Sequence, residues 1–322
     1  MSAVTDPQPA VAASAASSGG RRRRSRAALV TGDRGVLSES DRRSPAVAVS
    51  LGVINVVLFV LLVVACLGPL LLLVKFAVTP TQDILRTPLA LFPNGIRWEN
   101  LTRAWNEVQI NRYFLNTVVL AAGSWFFQLL VATTGGYVLS VLRPKYAKLL
   151  NGLVISTLFV PAVVLLVPLY LTVLNPPLIG HSLLNTYWAV WLPSAASAFN
   201  VMIVARFFDS LPHEVFEAAR VDGAGPFRLF TAIVLPMSKP ILGVASVFAI
   251  IASWKDFLWP LLVLKQPDLQ PLSVRLPSIQ AQTDLGVFLA ALAISTVVPV
   301  IMFLVFQRAF LRGAGMSGAV KG

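Results

Sequence analysis

Leu149 to Ala205 reads LLNGLVISTLFVPAVVLLVPLYLTVLNPPLIGHSLLNTYWAVWLPSAASAFNVMIVA, with no Asp, Glu, Lys or Arg anywhere in it. A helix needs roughly 20 apolar residues to cross the hydrocarbon core of a bilayer, so this run holds two crossings. The break between them is Asn175-Pro176-Pro177-Leu178-Ile179-Gly180-His181, a cluster of residues that end helices and make turns. Residues 44–74, 113–142 and 285–307 are also free of these charges, and each is long enough for one more crossing. Across 322 residues, hydrophobic side chains make up 56% and charged ones 12%, far from the composition of a soluble domain.

Six spans follow, at about 50–74, 114–141, 150–174, 186–206, 240–264 and 286–308. In lipid only helices and closed barrels satisfy every backbone group, and these continuous runs lack barrel alternation. The expected fold is an all-α integral membrane protein, a bundle of six transmembrane helices over residues 44–322. Residues 1–43, rich in Ala, Ser, Gly and Arg, cannot bury a core and are expected to be a disordered tail. The run after the tail is too long for a signal peptide, so it should stay as a span. Pro161, Pro168 and Pro299 are expected to kink their helices.

The net charge is +12, but its placement argues for topology rather than nucleic-acid binding. Eight Arg precede residue 44, beside the first span, where such clusters orient a chain toward the cytoplasm. Lys and Arg number eighteen on the tail side of the six spans against seven on the other. Both termini are therefore expected in the cytoplasm of a bacterial cell membrane, with the lipid bilayer as partner and no nucleic acid. The single Cys66 excludes a disulfide framework and reads as a small apolar residue.

Between the fourth and fifth spans lies a polar segment, residues 210–240. Ser210-Leu211-Pro212 looks like a helix start, with Ser able to cap and Pro tolerated in the first turn. Glu214 and Glu217 lie in its first turns, where carboxylates suit the helix dipole. Ala218 and Ala219 are small enough for close approach by another protein. Asp222-Gly223 marks a turn, and Gly225-Pro226 starts a second short helix. A blander reading pairs Glu217 with Arg220 across three residues.

The segment reads E-A-A, three residues, G, nine residues, I-x-L-P: Glu217, Ala218, Ala219, then Gly223, then Ile233, Leu235 and Pro236. That spacing resembles the cytoplasmic coupling loop of permease subunits in binding-protein-dependent ABC importers. The resemblance runs from about residue 50 to the C-terminus and is nearest the carbohydrate-uptake class of the maltose and glycerol-phosphate type. It is carried by Tyr113-Phe114-Leu115-Asn116-Thr117, Val167-Pro168-Leu169-Tyr170-Leu171, Leu184-Asn185-Thr186-Tyr187-Trp188-Ala189, Ser253 to Leu261 and Gly318 to Gly322. Lys255 stands where the family usually has Asn.

The resemblance implies a helix–turn–helix coupling loop with Glu217, Ala218, Ala219, Asp222, Gly223, Ile233, Leu235 and Pro236 as its contacts to an ATPase. It further implies a second homologous permease, two copies of that ATPase and an extracytoplasmic solute-binding protein. The chain itself should hold no cofactor, ATP and Mg being used by the partner ATPase, since no G-x-x-x-x-G-K-[ST] occurs here. No Cys, His or carboxylate cluster suggests a metal site, and no Ser-His-Asp elements suggest covalent catalysis.

Lys255 and Asp256 are charges inside a predicted span, and such residues usually face a cavity or a partner. One reading places Tyr170, Trp254, Asp256 and Trp259 along the translocation path. The other has Lys255 snorkelling outward and the Trp residues forming an interfacial belt. Rival classes fare worse. A membrane-embedded enzyme needs paired carboxylates or His at one depth, and a scaffold leaves the loop motif unexplained. An importer of another solute, such as polyamine or glycerol phosphate, would share the loop.

Overall fold

In the computed structural model the described residues are 45–90, 92 and 94–316. The Arg-rich tail 1–43 and Gly318–Gly322 lie outside them. The chain divides into two units, residues 1–63 and 64–322. All regular structure among the described residues is helical.

Helix α1, Pro45–Ala77, is apolar along nearly its whole length, and no residue of its most apolar stretch is buried. A helix apolar all round belongs in lipid or against another membrane helix. Short helices α2 (Thr81–Arg86) and α3 (Glu99–Asn106) precede α4, Ile110–Tyr137. The spine of residues 64–322 is α4, packing on α7 (Trp188–Ala195), α8 (Ala198–Asp209), α12 (Lys239–Lys255) and α14 (Leu272–Ile279). It runs on as a π-helical turn to Leu142, and the last long helix is α15, Leu285–Met316.

Among the described residues, three helices are long and apolar enough to cross a membrane: 49–77, 110–142 and 285–305. The other predicted spans are bent. The third is α5 (Ala147–Thr157) and α6 (Ala162–Leu174), turned by 106° at Pro161. In an unbroken helix the Pro161 ring would strike the carbonyl of Thr157, which is where α5 stops. Pro168 and Pro299 instead sit within α6 and α15. The fourth predicted span divides into α7 and α8, bent by 43°. A third pair, Pro226–Met237 and Lys239–Lys255, is bent by 80°, and six crossings are reached if each of the three pairs is one span.

The fifth predicted span, 240–264, is not continuous. Helix α12 ends at Lys255, Asp256 is extended, and α13 (Leu258–Val263) starts anew. Pro260 explains the stop, since its ring would meet the Asp256 carbonyl of a continuous helix. That carbonyl accepts the Ser273 hydroxyl instead, at 2.6 Å.

Two close fits fix the packing. A Cβ added to Gly123 of α4 would lie 2.1 Å from the Trp191 indole of α7, whose Nε1 donates to the Leu120 carbonyl at 3.2 Å. At the start of α15, Asp284 accepts from the Thr81 hydroxyl at 2.6 Å and from the Gly286 and Val287 amides at 3.1 and 3.4 Å. The Thr81 hydroxyl, aided by those amides and Arg103, holds the Asp284 carboxyl below the usual carboxylate range, against the opposing effect of burial.

Gly123→Ala should lower the melting temperature of the purified protein, overpacking costing about 1–3 kcal/mol. Adding Trp191→Leu should recover part of that loss; an additive loss would reject the contact. Because the folded Asp284 pKa is depressed, its contribution is complete above the unfolded value near about pH 4 and disappears as pH falls through the lower folded value. Asp284→Ala should cost about 1 kcal/mol at neutral pH and flatten that acid-side fall in the melting temperature.

Candidate functional site

The 210–240 segment begins later than its sequence suggests. Ser210 closes α8, its hydroxyl bonding the Phe207 carbonyl at 2.6 Å, and Pro212 is the cap of α9 (His213–Val221) without a side-chain cap bond. The Ser210 amide also belongs to α8, donating to the Phe207 and Phe208 carbonyls, so the new helix starts two residues later.

Within α9, Phe216 and Ala219 are three residues apart and so share a face. Both are buried, Phe216 at 3% exposure, in a cluster with Val204 and Phe208 of α8, Tyr137 of α4, and Leu229 and Val234. The close approach that Ala219 permits is therefore to its own chain. Glu214, Glu217, Ala218 and Asp222 face outward. The four ion pairs among the described residues do not include Glu217 with Arg220.

The end of α9 has two interlocked bonds. The Ala224 amide donates to the Ala219 carbonyl at 2.9 Å and the Gly223 amide to the Arg220 carbonyl at 3.0 Å. This closure requires a left-handed residue after the cap, and Gly223 supplies it with φ of +77°. Helix α10, Pro226–Leu229, follows with Pro at its first position, and a π-helical turn over Phe230–Val234 leads to α11, Leu235–Met237. Ile233 and Leu235 are half-buried and Pro236 is exposed. Tyr137 anchors this return limb, its hydroxyl donating to the Pro226 carbonyl at 2.8 Å and its ring centroid 5.0 Å from that of Phe230. Val221 and Phe227, at 87% and 79% exposure, flank the turn. The segment offers a small mixed surface of carboxylates and apolar side chains, fastened from behind to α4 and α8.

Around the outer ends of α4, α7 and α13, several residues singled out in the sequence hold the structure together. Asn116 donates to the Asp268 and Gln270 carbonyls at 2.8 and 3.0 Å and accepts from Tyr187 at 2.9 Å. Asn185 takes a left-handed φ of 56° and accepts from the Lys265 and Gln266 amides. Trp259 is buried, its indole N–H donating to the Ala189 carbonyl at 2.9 Å.

The four candidate path residues do not meet around one cavity. Trp259 and Tyr170 pack in one apolar cluster. Trp254 lies edge-on to Phe114 at 5.7 Å in another. Asp256 sits in the break between α12 and α13, its backbone amide donating to the Ser253 carbonyl at 3.3 Å.

A different set of polar residues does converge. Gln128, Ser197, Asn200 and Lys255 line a cavity of about 200 Å³ with Phe199 and Phe248. The Asn200 amide donates to Gln128 Oε1 at 2.8 Å, while Asn200 Oδ1 is buried without a hydrogen-bond partner among the described residues. Hydroxyl donors of a solute would satisfy such an acceptor. Gln128 and Asn200 stand out in the sequence as uncharged amides inside apolar runs, a signal that a search restricted to charges passes over.

Residues 132–314 match the family described as binding-protein-dependent transport system inner membrane component. The chain is 30% identical over 277 residues to the diacetylchitobiose uptake system permease protein NgcG of Streptomyces coelicolor, covering 84% of this chain and 87% of that one. It is 34% identical over 266 residues to the probable ABC transporter permease protein YurM of Bacillus subtilis, covering 81% and 86%. It is 29% identical to the sn-glycerol-3-phosphate transport system permease protein UgpE of Escherichia coli, covering 80% and 93%. Its fold is shared with a chain in the crystal structure of a bacterial ABC transporter involved in the import of the acidic polysaccharide alginate. The TM-score there is 0.73 at 20% identity, over 85% of this chain and 99% of that one.

Gly223→Val should destabilise the α9 turn by about 1–2 kcal/mol, the cost of a left-handed backbone for an L residue. Gly223→Asn should cost less, because Asn tolerates that conformation. Proteolysis within 210–240 reads the difference, and equal cleavage of the two variants would reject the strain argument.

Proposed function

The chain belongs to the family of binding-protein-dependent transport system inner membrane components, and we propose that it is the permease subunit of an ATP-driven importer of a sugar or oligosaccharide. It forms half of a translocation path with a second, homologous permease, and two ATPase copies drive it. An extracytoplasmic protein delivers the solute, and ATP and Mg are used by the ATPase rather than by this chain. Residues 44–322 form the transmembrane domain, with α5 and α6 together as one crossing, α7 and α8 together as another and α12 starting a further one, and with residues 1–43 and 210–240 in the cytoplasm.

The observation that carries this reading is the seating of α9. Phe216 and Ala219 are held in the bundle while Glu217, Ala218, Val221 and Phe227 face out, so a push on the outer face is delivered to α4 and α8 without an intervening flexible joint. Closure of the ATPase dimer then turns the path outward, and hydrolysis resets it. The permease named for diacetylchitobiose uptake and the fold shared with an alginate importer favour a saccharide. The cavity lined by Gln128, Asn200 and Lys255 is this chain's contribution to the path, its amides suited to sugar hydroxyls.

The similarity to a glycerol-3-phosphate permease favours a second reading, a phosphorylated solute whose anion faces Lys255. Competition of labelled uptake by chito-oligosaccharides and by glycerol 3-phosphate separates the two.

Purification from the native membrane in mild detergent should recover an ATPase and a second permease with this chain. Glu217→Lys should leave membrane insertion intact and reduce uptake by about tenfold or more, the effect of reversing one interface charge. Normal uptake in that variant would remove the coupling role. Asn200→Leu should raise the KM for uptake while leaving the ATPase bound, and an unchanged KM would move the path elsewhere.

A further inference from the structure

A larger cavity, of about 540 Å³, opens where the end of α4, the start of α5 and the end of α8 meet. Four cations line it: Arg143, Lys145, Lys148 and Arg206. Its one acidic residue, Asp209, is already engaged. Its carboxylate accepts from Arg143 at 2.8 Å and from the Ser140 hydroxyl at 2.5 Å, with Arg206 at 3.7 Å. Asp209 thus holds the two guanidinium groups in place and offsets only part of the positive charge. Neither Lys145 nor Lys148 takes part in any of the four ion pairs among the described residues.

The geometry points to a binding site for the phosphate headgroup of an anionic phospholipid. The volume lies within the range of ligand pockets, roughly 300–1,000 Å³, so it admits a phosphoglycerol group rather than a lone ion. The first turn of α5, which carries Ala147 and Lys148, forms part of the wall, and a helix N-terminus adds its dipole to the attraction for an anion. Asn151, one turn further along α5, offers its amide to phosphate or glycerol oxygens.

The surroundings favour a lipid over free phosphate. Beyond the lysines, α5 exposes Leu149 and Leu153, and Leu142 is exposed at the end of the π-helical turn. Acyl chains can lie along these residues while the headgroup enters the cavity, and Tyr146, also exposed, suits the interfacial level between them. Basic pockets between membrane helices on the cytoplasmic side suit anionic headgroups. The inference rests on the reading of α4, α5 and α8 as membrane helices whose Arg143 end faces the cytoplasm. It does not depend on which solute is carried.

The test is native mass spectrometry of the complex purified with this chain, in detergent, with added phosphatidylglycerol or phosphatidylcholine. Phosphatidylglycerol should be retained with this chain about tenfold more strongly than phosphatidylcholine. The double variant Lys145→Gln/Lys148→Gln should abolish that preference, and Lys265→Gln, a charge removed elsewhere, should not. Equal retention of the two lipids, or an unchanged preference in the double variant, would overturn the proposal. Displacement of the lipid by about 10 mM inorganic phosphate at constant ionic strength would assign the site to free anions instead. Should the double variant fail to assemble, Arg206→Gln in the same cavity is read by the same preference. The assay needs no transport, so loss of uptake in Glu217→Lys with lipid retention intact separates failure here from failure of the importer reading.

Discussion

The burial of Phe216 is the contact on which the rest of this structure's use depends. A short amphipathic helix such as α9 is too short to hold its shape alone in water, and most of its helical stability must come from the face it buries. That face is Phe216 and Ala219, set among Val204, Phe208 and Tyr137. Removing a buried Phe side chain costs about 3–5 kcal/mol, far more than a surface ion pair of a few tenths. The attachment of the segment is thus apolar and internal, while its outward face mixes carboxylates with the exposed Val221 and Phe227. The sequence separates the two by the three-residue spacing within a single turn.

The return limb adds a second fastening of another kind. Tyr137 reaches from α4 to the Pro226 carbonyl, a carbonyl whose own residue starts α10. The following π-helical turn at Phe230–Val234 shifts the register by one residue before α12 begins, and the chain bends by 80° between 226–237 and 239–255. The helix pair therefore touches the bundle at two places on α4 and α8.

Much of the fold is legible from charge alone: the runs without Asp, Glu, Lys or Arg coincide with helical segments, and the 210–240 motif falls on a helix, a turn and a helix. What charge cannot convey is where a long apolar run stops being one helix. Those stops follow a local steric rule, Pro161 against the Thr157 carbonyl and Pro260 against the Asp256 carbonyl, and a span drawn by hydropathy averages over them. The same averaging hides the roles of individual polar residues. Asn116, Asn185 and the Trp259 indole read equally well as solute contacts or as internal fasteners until their partners are known. Those partners are backbone carbonyls and amides of neighbouring segments. Ser210 is a similar case, a residue that favours both helix starts and helix ends, settled here by its bond to Phe207.

The break at Asp256 gives the polar cavity its form. A helix running unbroken through Pro260 would carry Lys255 onward at a fixed register, whereas the break leaves the Asp256 carbonyl bonded to the Ser273 hydroxyl. Ending α12 at Lys255 places that cation at a helix C-terminus, where a positive charge is favoured, beside the Gln128–Asn200 pair. Asn200 Oδ1 is a buried acceptor without a partner among the described residues, so a hydrogen-bond donor entering the cavity finds it available. An acceptor, an amide pair and a cation around about 200 Å³ suit a solute with hydroxyl groups and partial or full negative charge.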